Sequence, residues 1–392
     1  MKTTSIFILI SSVSIFLGCG GKASQIITVK NPLDISRSHE TIEINVADIL
    51  LEKDKNINDV GVIDAETGKV LITQLVDENQ DGKYDILLFQ AEVNANSEKQ
   101  YKLTVVNSDE KKTSIDYCFS RFVPERTDDY AWENNRVAFR TFGPVAQKMV
   151  EDGVKGGTLS SGIDAWLKRV EFPIIDLWYK RNDAKKGAYH KDHGEGLDNF
   201  HVGISRGVGG VAVKIDTAFY VSRNFTKWKT ITTGPIRTSF VLEYANWNAG
   251  ENSISEVKHV SLDYGSNLSR YEVEITGTDN IYSGLTLHEK DGKDSQNKEF
   301  GYVSYWEPHG DSELGTGIVV PNGNMLSSEL FDTPVKDWSN LYAQIKLDEG
   351  KALYYAGFGW KKSNQFSSQE EWENYLKTFS LKVNNPLIVS VN

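Results

Sequence analysis

Over the last two thirds of the chain one strand-like segment follows another almost without pause, and this pattern sets the fold. The segments 211–221, 228–232, 236–244, 254–262, 268–276, 284–288, 301–306, 315–320, 342–347 and 352–360 are short and rich in β-branched and aromatic residues. Turn formers separate them. Such a series buries its apolar sides by laying antiparallel sheets face to face, so residues 123–392 are predicted to form one large antiparallel β-sandwich. Residues 25–122 carry shorter runs at 26–29, 41–46, 60–63, 86–89 and 101–105, the spacing of a small immunoglobulin-like domain. The expected class is therefore all-β. Helices are expected only at 145–152 and at 368–378, where Ser368 is an N-cap and Trp372, Tyr375 and Leu376 recur at helical spacing. The run Asp77-Glu78-Asn79-Gln80-Asp81-Gly82 opens like a calcium loop. Its twelfth position is Leu88 rather than a bidentate Glu, so an acidic hairpin turn is expected.

The N-terminus reads as an export signal. Lys2 precedes an apolar run at 6–17 that ends in Phe16-Leu17-Gly18-Cys19, a lipobox-like sequence. The run is shorter than the ~20 residues needed to span a bilayer. Residues 1–18 are thus expected to be a signal peptide, Cys19 the lipid attachment site, and 19–24 a tether. No acidic run follows Cys19, which points to the periplasmic face of the outer membrane. A lipidated Cys19 leaves Cys118 without a disulfide partner, and its strand-like surroundings suit a buried apolar residue.

A net charge of -11 without a long basic run excludes nucleic acid as a partner. An acidic ligand would need a local cationic pocket. The 17 Tyr, 17 Phe and 9 Trp suit sandwich cores and also the stacking of sugar rings.

Three of the 7 histidines fall in Tyr189-His190-Lys191-Asp192-His193-Gly194-Glu195-Gly196-Leu197-Asp198-Asn199-Phe200-His201. The segment is glycine-broken and has no packing need for so many titratable groups. His190, His193 and His201, with Tyr189, are the candidate catalytic residues: one imidazole as general base or acid, a nearby carboxylate fixing its tautomer. The competing reading is a divalent metal held by His190, His193, Glu195 and Asp198, although the spacing is not that of a zinc helix motif. No cofactor is expected on the favoured reading. Arg237, in Gly234-Pro235-Ile236-Arg237, and Arg140, in Phe139-Arg140-Thr141, each stand on a strand where a guanidinium can grip a carboxylate or sulfate. Trp247, Trp306 and His309, with Tyr244, are candidates for a sugar subsite, packing being the competing role for each. His288 is a weaker candidate, His259 a structural one, and His39 lies far off in sequence.

The loop from Tyr189-His190 to Gly196, the strand opening at Gly234-Pro235-Ile236-Arg237, the segment Gly301-Tyr302-Val303-Ser304-Tyr305-Trp306, the run Tyr354-Tyr355-Ala356-Gly357-Phe358-Gly359-Trp360 with Pro386-Leu387, and the Asp81-Gly82 turn carry a resemblance over nearly the whole mature chain. The sequence resembles an exported bacterial β-sandwich family of formerly unknown function that includes the ulvan oligosaccharide dehydratases. That resemblance implies a galactose mutarotase-like supersandwich. It also implies removal of water from a saturated uronic acid at the non-reducing end of a uronic-acid-containing, sulfated oligosaccharide, giving a 4,5-unsaturated uronate. Such chemistry needs a group to neutralise the carboxylate, a base for the C5 proton and an acid for the C4 hydroxyl. Arg237 or Arg140, with imidazolium or a metal as substitute, and the loop histidines fit these needs. A lyase that expels a sugar instead of water, a non-catalytic glycan-binding lipoprotein and, on fold analogy alone, a mutarotase or epimerase are the alternatives.

Overall fold

The computed structural model describes residues 24–51 and 53–392. The stretch expected to be a signal peptide, Cys19 and nearly all of the expected tether lie outside the described residues. Among the described residues no helix is long and apolar enough to cross a membrane.

The protein is all-β and antiparallel. In the N-terminal part a four-stranded sheet, ordered Ile388–Val391, Gln25–Lys30, Glu98–Val105, Val60–Asp64, faces a three-stranded sheet of Arg37–Asn45, Ile86–Val93 and Thr73–Val76. Ile27, Val29, Ile44, Val62, Leu87 and Phe89 fill the space between them. The C-terminal strand thus belongs to this sheet by pairing, with Ile27 opposite Val391, so the chain closes its first domain with its last residues. In the turn between Thr73–Val76 and Ile86–Val93 the Asp77 and Asp81 carboxylates accept N–H groups of Asp81, Gly82 and Lys83, as an acidic hairpin turn requires.

The large part has three sheets around one core. The longest runs Phe225–Thr232, Arg237–Tyr244, Asn252–Asp263, Leu268–Thr276, Lys351–Trp360, Ser312–Val319, Tyr302–His309, Lys293–Asn297, with Trp247–Ala249 paired beside it. Opposite lies the sheet built on Val208–Ile215, Asn280–Thr286 and Asn340–Lys346. A third, from Phe119–Val123 to Gly196–Leu197, caps one side. The period-2 rule is visible in Arg237–Tyr244, where Thr238, Phe240, Leu242 and Tyr244 are buried and their neighbours are half-buried. Each fully buried Phe or Leu of this kind contributes roughly 1.5–3 kcal/mol.

Ser368 caps the helix Gln369–Asn384 by accepting the Glu371 N–H at 3.3 Å. Trp372, Leu376 and Ser380, four residues apart, form its buried stripe. Trp372 and Leu376 seat on Gly315 and Gly317, where an added Cβ would come within 2.7 Å of Trp372 and 2.8 Å of Leu376. Sequence reasoning missed the helix Ile175–Ala184. Ile175, Trp178 and Tyr179 bury at helical spacing against Trp166. Glu133, from a different strand, accepts the N–H groups of Ile174 and Ile175 at 2.9 Å, so the cap that starts this helix is tertiary and has no local signature.

Candidate active site

The histidine-bearing segment is a braced turn. Gly187, with φ +78°, opens the turn Ala188–His190, and Gly196–Leu197 then pairs with Leu167 and Lys168. At Gly196 the backbone has φ +115° and a Cβ would lie 1.9 Å from the Leu167 carbonyl oxygen, so only glycine fits. Asp192 accepts the Gly194 N–H at 2.7 Å and pairs with Arg169 at 3.0 Å. Glu195 takes both Nη groups of Arg181 at 3.0 Å. These ties leave Glu195 and Asp192 engaged and the rings outside. His190 Nδ1 lies 2.6 Å from the Asp198 carbonyl oxygen. A carbonyl only accepts, so Nδ1–H donates and Nε2 is the nitrogen left available on the largely exposed ring. By the same reasoning His193 donates Nε2–H to the Ala188 carbonyl at 3.2 Å.

Beneath the turn lies a buried ionic cluster. Arg140 donates to Asp164 at 2.5 Å and Asp198 at 3.0 Å, and its Nη1 is 3.6 Å from Asp129. The guanidinium packs on the Trp166 and Tyr189 rings. Burial drives the Asp129 carboxyl up to about 6 although Arg140 and Arg126 pull it down, and burial raises Asp164 well above the usual carboxylate range. Arg140 therefore does not fill the expected role of gripping a substrate, because three carboxylates already enclose it. Asp198 is likewise withdrawn from the proposed metal set, as is Glu195 by Arg181. Tyr189 is buried and accepts from Arg126 Nε at 3.0 Å, so it positions the turn.

The segment's far end reaches a second cluster. Phe200 packs edge-on against His288, with ring centres 4.5 Å apart, and also meets His309 at 6.1 Å. His288 Nδ1 lies 2.5 Å from Glu307 Oε1, and His309 Nδ1 lies 3.8 Å from the same oxygen. Their other polar atoms, His288 Nε2, Glu307 Oε2 and His309 Nε2, are buried without a partner, as is Asn199 Oδ1 in the adjoining segment. Among the described residues this is the one group of three His, Cys, Asp or Glu side chains whose ligand atoms all come within 4.8 Å of one another. Two imidazoles and one carboxylate are a donor set for a divalent metal. Burial, then the neighbouring His288, lowers His309 to about 4, which keeps it neutral and able to ligate; burial raises Glu307 despite His288. His201, at the end of the same segment, donates Nε2–H to Asp337 Oδ2 at 3.0 Å. His190, His193 and His201 thus lie on one stretch of chain, and its Phe200 packs against His288 and His309.

Sequence reasoning placed His309 in a sugar subsite, ranked His288 low and missed Glu307. The signal was available: Glu307 and His309 are two apart on one strand, hence on one face. Other expected residues lie elsewhere. Arg237 is bound by Asp263 and by Glu43 of the first domain. Trp247 is a core residue donating to Glu256 at 3.1 Å, and Trp306 is buried beside Gly315 and donates to Glu313 at 2.9 Å. His39 sits at the domain junction, and His259 is 3.6 Å from Glu274 on an outer face. Cys118 is fully buried, and burial pushes its thiol far up, which suits packing and not attack.

A family model described as "Domain of unknown function (DUF4861)" matches residues 29–389. A Formosa agariphila protein called "Uncharacterized protein P7" is 57% identical over 394 residues, covering all of both chains. Two solved structures from Enterococcus faecalis align over 94% of this chain at 12% identity. One is a protein in the glycosyl hydrolase family 38, with a TM-score of 0.49 over 47% of that chain; the other is an alpha-mannosidase, with a TM-score of 0.47 over 46%. The chain spans about half the length of these two.

Proposed function

The chain belongs to the DUF4861 family, and we propose that it is a carbohydrate hydro-lyase that removes water from a saturated uronic acid at the non-reducing end of an ulvan-type oligosaccharide. The C5–H and C4–O bonds break, C4=C5 forms, and the hydroxyl leaves as water. The observation that carries this reading is one braced segment that bears three of the 7 histidines and, through Phe200, packs against His288 and His309, whose buried ring nitrogens have no partner. In this reading His190 Nε2 takes the C5 proton, because its Nδ1 is committed to the Asp198 carbonyl. His201, oriented by Asp337, protonates the departing hydroxyl. For the carboxylate-neutralising role expected of Arg140 or Arg237, His288, Glu307 and His309 would hold a divalent cation, whose charge would offset that of the substrate's carboxylate. Lipid on Cys19 and a place on the periplasmic face of the outer membrane belong to the same proposal.

The test is a panel of saturated uronate-ended oligosaccharides, followed by ultraviolet absorbance and by mass. The expected product is lighter by one water and absorbs as a conjugated uronate. His190→Ala should lower turnover by about 10²–10⁴-fold, the usual contribution of a general base, without changing the melting temperature. A mass split into two sugars would replace the hydro-lyase with a sugar-expelling lyase. Unchanged turnover in His190→Ala would remove that residue from the mechanism.

A further inference from the structure

A hollow lies where the small domain meets the sandwich and the C-terminal helix, and its chemistry is unlike that of the histidine segment. It is a cavity of about 620 Å³, within the ~300–1,000 Å³ typical of small-molecule sites. Its walls carry five cationic side chains, Arg37, Arg136, Arg237, Arg270 and Lys382, against three carboxylates, Glu40, Glu43 and Asp263. An excess of two positive charges in one hollow is notable in a chain whose net charge is -11.

The cations are not equally occupied. Arg237 is held by Asp263 and Glu43, and Glu40 serves both Arg37 and Lys382. Arg136 donates to the neutral Asn267 amide oxygen at 2.5 Å, and among the described residues no carboxylate pairs with it. Arg270 shares Glu272 with Lys351. Arg37 is almost wholly buried, yet its Nε has no partner. Tyr264, Tyr355 and Tyr375 add rings to the same walls. The small domain also spends backbone strain here. His39 has φ +54° in a bulge between Arg37 and Glu40, and it rests against Gly265, whose added Cβ would lie 3.0 Å from the His39 Cβ.

We propose that this crevice binds an anionic saccharide. Arg136 and Arg270 take its sulfate or carboxylate, and the tyrosine rings pack on the sugar. The site is separate from the histidine segment, so it would hold glycan whether or not the hydro-lyase reading stands.

The test is calorimetric titration of the full mature chain with a sulfated, uronate-containing tetrasaccharide from heparin, its desulfated counterpart, a neutral cellotetraose and inorganic sulfate. Both anionic saccharides should bind, more weakly as salt is raised, with the neutral sugar at least tenfold weaker. Arg270→Gln, on a half-exposed strand position, should weaken binding about tenfold, and Arg136→Gln with Arg270→Gln should weaken it further; Arg270→Lys should restore part. His190→Ala should bind as the native chain does, which separates this site from the reaction. Equal binding of cellotetraose, inorganic sulfate binding as tightly as the saccharides, or undiminished affinity in a folded Arg270→Gln protein would each overturn the proposal.

Discussion

Two clusters of buried charge lie at opposite ends of the same segment of chain, and they solve the problem of burying a carboxylate differently. Around Arg140 the cation is built in: one guanidinium serves Asp129, Asp164 and Asp198, enclosed by Trp166 and Tyr189. Around Glu307 there is no arginine or lysine within ion-pair distance among the described residues, only the two imidazoles of His288 and His309. The first cluster carries its own cation, although Asp129 Oδ1, Asp164 Oδ1 and Arg140 Nη1 are also buried without a hydrogen-bond partner. The second can be neutralised only by protons or by a cation from outside, which is the character of a site and not of a strut.

The largest expected difference between the two clusters follows the removal of Arg140. Arg140→Met keeps the bulk of the side chain but leaves three buried carboxylates without their cation. Removing one partner of a buried ionic group costs about 3–5 kcal/mol, so urea denaturation should show a loss of that size or a failure to fold. His309→Gln removes no built-in cation and should cost far less by the same measure. Equal losses in the two variants would erase the distinction.

The two clusters also respond to pH with opposite signs. Asp129 is raised from 3.8 to about 6. The folded state then binds the proton more tightly than the unfolded chain does, so this contribution is present below pH 4 and is lost as pH rises through about 6. His309 is lowered from 6.5 to about 4; here the unfolded chain binds the proton more tightly, so the contribution is present above pH 6.5 and is lost as pH falls towards 4. A two-unit shift corresponds to about 3 kcal/mol in either case. Stability measured from pH 4 to 7 should lose its acid-side fall in His309→Gln and its rise towards acid in Asp129→Asn. Parallel changes in the two variants would show that the clusters are one coupled unit.

The two clusters also differ in how far the sequence reveals them. Strand alternation made the sandwich legible, since Arg237–Tyr244 and its neighbours bury every second residue, and Ser368 with Trp372 and Leu376 located the last helix. The density of histidines marked the turn, because local sequence carries local composition. What brings Asn199 and Phe200 to His309, or Glu133 to the helix at Ile175, is pairing between strands distant in sequence, and no window of residues encodes that. Arginines were misread for the same reason: Arg140 and Arg237 looked free on their own strands, and their carboxylates arrive from elsewhere in the chain. The closing of the first domain by Ile388–Val391 was hidden likewise.

The smallest expected effect on stability lies at the outer edge of the second cluster, and it decides whether that cluster extends to solvent. His201 is 63% exposed and meets Asp337, 27% exposed, at 3.0 Å. An exposed pair of this kind contributes about 0–1 kcal/mol, so Asp337→Ala should leave the melting temperature nearly unchanged. Asp337 is nonetheless tightly placed, since Gly203 has φ +53° and an added Cβ there would come within 2.5 Å of the Asp337 Cβ. A carboxylate held that firmly against an exposed ring acts on orientation more than on energy. If His201 is the proton donor, Asp337→Ala should lower kcat about tenfold with KM unchanged, and Asp337→Asn, which keeps an acceptor oxygen, should recover most of it. A surface ion pair with no positioning role would leave kcat alone in both variants, and the working part of the segment would then end at Phe200.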